Sequence, residues 1–155
     1  RAFGEDVDFQ DFIKVPKARE SFLEYCETEF AGENIDYLTA VEKLERINKK
    51  RMRKSVLRSL NVSIEGMKSM KKKLCEKQAK YIMENWVLDD SPHPVSMEGR
   101  IQQTLIERYK KNDFSFDMFE PSKELVYSIL ETDNFERYKK KPEFKEVLRT
   151  IGEYR

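Results

Sequence analysis

Thr28-Glu29-Phe30-Ala31-Gly32-Glu33-Asn34-Ile35-Asp36 is a polar hinge with an amphipathic pattern on either side. Before it, Phe22, Leu23, Cys26 and Phe30 recur at helical spacing; after it, Tyr37, Leu38, Val41, Leu44 and Ile47 take up the same period. Two helices are therefore expected to meet here. Gly32 is expected to end the first, in the left-handed conformation that glycine tolerates at a helix C-terminus. Glu33 falls in the first turn of the second, where its charge suits the positive end of the helix dipole. Read by itself, the stretch is a helix junction with a cap, since an acid and an Asn in a first turn ordinarily satisfy free amides.

Outward from the hinge, three- and four-residue apolar spacing recurs to both ends of the chain, while strict alternation hardly exceeds four positions; the fold class is all-α. A short helix is predicted over 8–13, burying Phe9, Phe12 and Ile13. Pro16 suits the first turn of the next, which is predicted to run to Phe30, and a third is expected over 33–48. Residues 49–80 read as a basic extension between helices. Within them Met52, Val56, Leu57 and Leu60 make a short amphipathic segment, Asn61 to Ser63 and Gly66 interrupt it, and a long helix is predicted over 67–87. Leu74, Tyr81, Ile82, Met83, Trp86 and Val87 should bury its second half, leaving the lysine-rich first half solvated. Asp89-Asp90-Ser91-Pro92-His93-Pro94 is a loop, because two prolines two residues apart cannot sit inside a helix. A helix then carries Ile101, Leu105, Ile106 and Tyr109 and closes near Asn112. Pro121 opens another, Thr132-Asp133-Asn134 breaks it, Phe135 and Tyr138 restart it, and Pro142 opens the last.

At 155 residues the chain fits a single domain, 1–155, whose fold would hide roughly two-thirds of the surface of its unfolded chain. Charged residues make up 38%, but 39% hydrophobic and 12% aromatic content supplies a core that a disordered chain lacks. No apolar run approaches the roughly 20 residues of a membrane span, and no leader pattern precedes the first helix. A soluble, cytoplasmic domain is expected, and a start at Arg1 rather than Met suggests one excised from a longer chain. Two cysteines, Cys26 and Cys75, sit inside helical patterns and point to a reducing compartment. The net charge of +1 hides an uneven distribution: residues 1–45 carry −7, residues 46–80 carry +11 and residues 81–155 carry −3. A basic block of this kind can mark an anionic membrane or nucleic-acid contact.

Chemistry-bearing constellations are sparse. With one His, a His-based zinc site is excluded, and the two cysteines are too far apart in sequence to suggest a thiolate pair, so no metal is expected. Five scattered glycines provide no phosphate-binding loop, and no cofactor is expected. The carboxylate pairs Glu29/Glu33 and Asp89/Asp90 have no accompanying nucleophile or base, so the chain reads as no enzyme in its own right. Lys71, Lys72 and Lys73 form a candidate anionic-membrane patch, where each charge contributes roughly 1 kcal/mol close to the surface. Nucleic acid is not expected as a partner, since the basic block has almost no aromatics on which bases could stack.

Three separated stretches then take on a joint meaning. Phe22-Leu23 followed by Glu29-Phe30-Ala31-Gly32-Glu33-Asn34-Ile35-Asp36-Tyr37 is similar to the signature "FL…E(Y/F)SEENI.F(W)" of the regulator of G-protein signalling (RGS) domain. Phe119, then Val126-Tyr127-Ser128-Ile129-Leu130-Glu131-Thr132-Asp133-Asn134-Phe135-Glu136-Arg137-Tyr138, resembles that family's "IY.LM..D(S)Y.RFL". Ala79-Lys80-Tyr81-Ile82 through Trp86-Val87 stands in place of its fifth helix, followed by the loop around His93. The departures are Leu38 for a frequent Trp, Ala31 for a capping Ser, and His93 between prolines where the family commonly has Asn or Ser.

The resemblance implies a bundle of roughly nine helices of the RGS type, with residues 49–73 as an extended basic helical connection. It also implies a surface where three interhelical loops meet the switch segments of a GTP-bound heterotrimeric G-protein α subunit. Carried over position by position, that surface comprises Glu29, Phe30, Glu33, Asn34, His93, Ile129, Asp133, Asn134 and Arg137. Asp133 would take a switch backbone amide, Arg137 would hold Asp133 by a charge-assisted bond, and Asn34 would sit near the glutamine that orients the attacking water. The implied function is GTPase activation by a monomer at the inner face of the plasma membrane. The alternative is an RGS-homology scaffold or membrane-docking domain without that activity.

Overall fold

A computed structural model describes residues 7–51 and 53–153, and every regular element among them is helical. In chain order these are α1 (Phe9–Lys14), α2 (Pro16–Thr28), α3 (Gly32–Lys49), α4 (Lys54–Ser59), α5 (Ile64–Ile82), α6 (Gly99–Lys110), α7 (Glu120–Ile129), α8 (Phe135–Tyr138) and α9 (Pro142–Glu153). Two π-helical segments join them: Met83–Val87 extends α5, and Leu130–Asn134 fuses α7 to α8. Their widened turns show in i to i+5 hydrogen bonds from the amide of Leu88 to the carbonyl of Met83 and from that of Phe135 to that of Leu130. The chain forms two compact units, one built from residues up to Asp36 with those from Leu125 onward, the other from Tyr37–Glu124.

The first unit is organised by aromatic rings. Asp8 caps α1, its Oδ1 accepting from the amides of Gln10 and Asp11 at 2.7 and 3.3 Å. The cap starts the helix so that Phe9, Phe12 and Ile13 turn inward. Phe12 lies 5.3 Å from Phe135 and 5.5 Å from Phe144, ring to ring. Phe22 meets Phe9 edge-on at 5.5 Å and Phe135 at 5.8 Å. Such pairs contribute about 0.5–1.5 kcal/mol each beyond the area they bury. The cluster therefore fixes α1, α2, α8 and α9 against one another.

The second unit buries Tyr37, Leu44, Ile82, Met83 and Phe119 almost completely. Its helices are also tied by polar bonds that would cost stability if left open. Gln78 donates to the Ala40 carbonyl at 3.0 Å, and Gln102 to the Val87 carbonyl at 2.8 Å. The buried Tyr37 hydroxyl is bonded to Ser122, which itself donates to the Phe119 carbonyl at 2.8 Å. Burial holds the Tyr37 phenol well above its ordinary pKa.

Several expectations change here. Thr132-Asp133-Asn134 does not break the helix but lies in the π segment, so the backbone stays helical from α7 into α8. The long helix begins at Ile64 rather than Met67: Ser63 caps it by accepting from the Gly66 amide at 2.9 Å, which puts Gly66 inside its first turn. Leu74 and Tyr81, expected in the core, are 47% and 51% exposed because they lie to the side of the buried face. The extension at 49–73 is not wholly outside the core either, since Leu57 on α4 is buried. Met52, read as part of that segment, lies outside the described residues.

Candidate functional site

The hinge ends α2 by a Schellman arrangement. The Ala31 amide reaches back to the Cys26 carbonyl at 2.8 Å and the Phe30 amide to the Glu27 carbonyl at 3.2 Å. This pairing needs a left-handed residue two positions past the last helical one. Phe30 supplies it, with φ at 58°. The sequence reading placed the left-handed residue at Gly32 and ran α2 to Phe30. Instead α2 stops at Thr28, and Gly32 is the first residue of α3. Its role is close approach: a Cβ there would meet Glu27 Cγ at 2.9 Å. Phe30, forced into the turn, is 88% exposed.

Beyond the turn, Glu33 and Asn34 occupy the first turn of α3 and are half-exposed. The Asn34 amide bonds the Ala31 carbonyl at 3.2 Å. Its carboxamide enters no hydrogen bond among the described residues and is open to a partner. Ala31 has no side-chain oxygen with which to cap this turn.

From the other end of the chain, Arg137 on α8 makes the central polar contact. Its guanidinium forks onto both carboxylate oxygens of Asp133, through Nη1 to Oδ1 and through Nη2 to Oδ2 at 3.1 Å. On its other side Nε donates to Glu29 Oε2 at 2.8 Å. One arginine thus bridges the hinge and the π segment, 108 positions apart in sequence. Arg137 holds the Asp133 and Glu29 carboxyls below their ordinary range and is itself held charged by both. Glu29 is the more enclosed acid, its Oε1 buried with no partner in good geometry. Ile129 closes α7 and is half-exposed, while Asn134 is buried.

Tyr25, one turn before Glu29 on α2, is a member of this site that sequence reasoning did not single out. Its ring stacks on Tyr138 at 5.2 Å, and its hydroxyl is pushed up to about 12 by burial and by the neighbouring Glu29 carboxylate. The i, i+4 spacing to Glu29 was the available signal. Tyr25, Thr28, Glu29, Arg137, Lys140 and Lys141 line a shallow, open concavity. Cys26, behind it, is fully buried with its thiol raised to about 12, chiefly by burial, and is not a nucleophile.

His93 belongs to the second unit. It is exposed in the loop after the first π segment, and its amide donates to the Asn85 carbonyl at 3.1 Å. Lys71 is tethered to the Asn48 carbonyl at 3.1 Å, whereas Lys72 and Lys73 are exposed. Among the described residues no group of His, Cys, Asp and Glu could hold a metal ion, and no helix is long and apolar enough to cross a membrane.

Every regular element among the described residues is helical, and one arginine on α8 joins the hinge to the π segment that precedes it. The chain belongs to the regulator of G protein signaling domain family, whose model matches residues 8–147. Among curated proteins it is similar to "Regulator of G-protein signaling 20" of Bos taurus, 23% identical over 94% of this chain and 32% of that protein. The counterpart from Gallus gallus is 24% identical over 94% of this chain and 56% of its own length. "Regulator of G-protein signaling rgs-2" of Caenorhabditis elegans is 23% identical over 97% of this chain and 75% of its own. The chain thus spans about a third of the length of the first of these relatives.

Proposed function

We propose that this domain is a GTPase-activating module that grips the switch segments of a GTP-bound heterotrimeric G-protein α subunit and has no catalytic group of its own. The observation that carries the reading is the Glu29–Arg137–Asp133 bridge. It fixes the orientation of Asp133 beside a hinge that leaves Phe30 and Asn34 accessible. In this reading Asp133 takes a switch amide, Glu33 and Ile129 flank it, and the buried Asn134 keeps the π segment in shape. Asn34 approaches the glutamine that orients water. Glu29 acts mainly by holding Arg137.

An α subunit carries its own transition-state arginine, so an activator can work by holding the switches in the hydrolysis-competent arrangement. Binding that arrangement more tightly than the ground state by about 2.7 kcal/mol accelerates hydrolysis about a hundredfold. Loops on a rigid scaffold suit this task, because little ordering is left to be done on binding. The setting is the cytoplasmic face of the plasma membrane, where such α subunits work.

Single-turnover GTP hydrolysis by α subunits of the source organism, with and without the domain, tests the reading. Acceleration that is lost in Asn34→Ala is the expected result, and absence of acceleration with every α subunit overturns it. The exposed His93 between Pro92 and Pro94 favours a second reading, an RGS-homology scaffold that docks without activating. That reading requires docking on another protein or an anionic membrane, unchanged in Asn34→Ala, with no acceleration to remove.

A further inference from the structure

Apart from Phe30, every large apolar side chain left exposed among the described residues lies between Val56 and Tyr81, within the basic block or, for Tyr81, directly after it. On α5 these residues form a pattern. The helix buries Cys75, Gln78, Ala79 and Ile82. At about 100° per residue, Met70, Leu74 and Tyr81 fall within about 40° of one another, on a stripe roughly 100° round from that buried face. They are 53%, 47% and 51% exposed. From Met70 to Tyr81 the stripe runs about 16 Å.

The charges of α5 are sorted about this stripe. Lys77 and Lys73 lie along one edge of it, whereas Lys72 is diametrically opposite and Lys68 is on the far side, by the same helical arithmetic. Neither Lys73 nor Lys77 is drawn into an ion pair among the described residues. Both acids of α5, Glu65 and Glu76, fall on the far side as well. The triplet Lys71-Lys72-Lys73 is therefore not one patch: it fans over about 200° of the helix, and Lys71 is already bonded to the Asn48 carbonyl.

We infer that α5 docks on an anionic lipid bilayer through Met70, Leu74 and Tyr81, with Lys73 and Lys77 reaching the headgroup phosphates. An apolar stripe edged by lysines, with the acids turned away, is complementary to such a surface: the rings and methyls enter the acyl boundary while the long lysine stems lie along it. Tyr81 places an amphipathic ring at the same level. This docking does not depend on the GTPase reading, and its readout needs no α subunit.

The test is flotation of the protein with phosphatidylcholine vesicles that do or do not contain phosphatidylserine. Binding to the anionic vesicles alone, weakening with salt, is expected. Lys73→Gln with Lys77→Gln should weaken it about thirtyfold, and Lys68→Gln with Lys72→Gln, at equal net charge, less than about threefold. Leu74→Ser should weaken it about tenfold. All these positions are exposed, and unchanged emission from Trp86, which is buried, reports that each variant is folded. Absence of vesicle binding, equal losses for the two lysine pairs, or no effect of Leu74→Ser overturns the inference. So does self-association that Leu74→Ser abolishes without any vesicle binding, which would give the stripe to a second copy of the chain.

Discussion

At Phe30 the backbone and the side chain can be separated by two substitutions. A left-handed φ such as its 58° costs an L-residue about 1–2 kcal/mol and a glycine nothing. Glycine gives back about 0.5–1 kcal/mol because its unfolded chain is freer than that of alanine. Phe30→Gly should therefore be more stable than Phe30→Ala by roughly 0.5–1 kcal/mol, the reverse of the order in a helix interior. Both lose the same ring, which is 88% exposed and so contributes little burial. For a chain of this length the gap corresponds to a midpoint about 1–3 °C higher for glycine, read by thermal circular dichroism. An alanine variant as stable as the glycine variant would refute the strain argument. In the GTPase assay the two variants should fail together, since each removes the ring. Acceleration retained by Phe30→Gly would remove the ring from the partner surface and leave the backbone argument standing.

Other perturbations follow from the same geometry. Ser122→Ala should cost about 1–3 kcal/mol in urea unfolding, because it strands the buried Tyr37 hydroxyl, whereas Tyr37→Phe should cost about 1 kcal/mol, since Ser122 keeps its bond to the Phe119 carbonyl. Ala31→Ser should stabilise by about 1 kcal/mol by giving α3 the side-chain cap it lacks, visible as a raised thermal midpoint. Arg137 lowers the folded-state pKa of Asp133 and Glu29. Its contribution is therefore present above the unfolded carboxyl value of about 4 and is lost as pH falls through the depressed folded values. The difference in urea midpoint between wild type and Arg137→Gln should shrink as pH is lowered from about 6 to about 3; a difference independent of pH would contradict the ion-pair geometry.

The helices were legible where punctuation carries a mechanism. Asp8 accepts the first free amides of α1, Pro16 and Pro142 each open a helix, and the two prolines beside His93 keep that segment out of one. Misreadings arose where two mechanisms compete for one residue type. Glycine serves both left-handed turns and close approaches, and at Gly32 it serves the second, leaving the first to Phe30. The polar run Thr132-Asp133-Asn134 looks like a loop because nothing in composition distinguishes a widened helical turn from a break. Of the candidate site, the Asp133–Arg137 pair was implied by the family resemblance, and their one-turn spacing on a helix allows it. The second arm to Glu29 was not, because no local pattern relates residues 108 positions apart. Lysines at 71–73 looked contiguous only in one dimension.

The π segment at Leu130–Asn134 amounts to a one-residue frameshift within a continuous rod. Upstream, Val126 and Leu130 face inward four apart; an unbroken α-helix would next send residues 134 and 137 to that face, turning Arg137 toward the aromatic cluster. The extra residue keeps Asn134 buried, sends Phe135 and Tyr138 inward beside it, and leaves Arg137 outside to reach Glu29. A lineage that lost Glu131 or Thr132 would keep Glu29, Asp133 and Arg137 and still misdirect its arginine. A deletion at this point therefore disturbs the Glu29–Arg137 contact more than a substitution beside it.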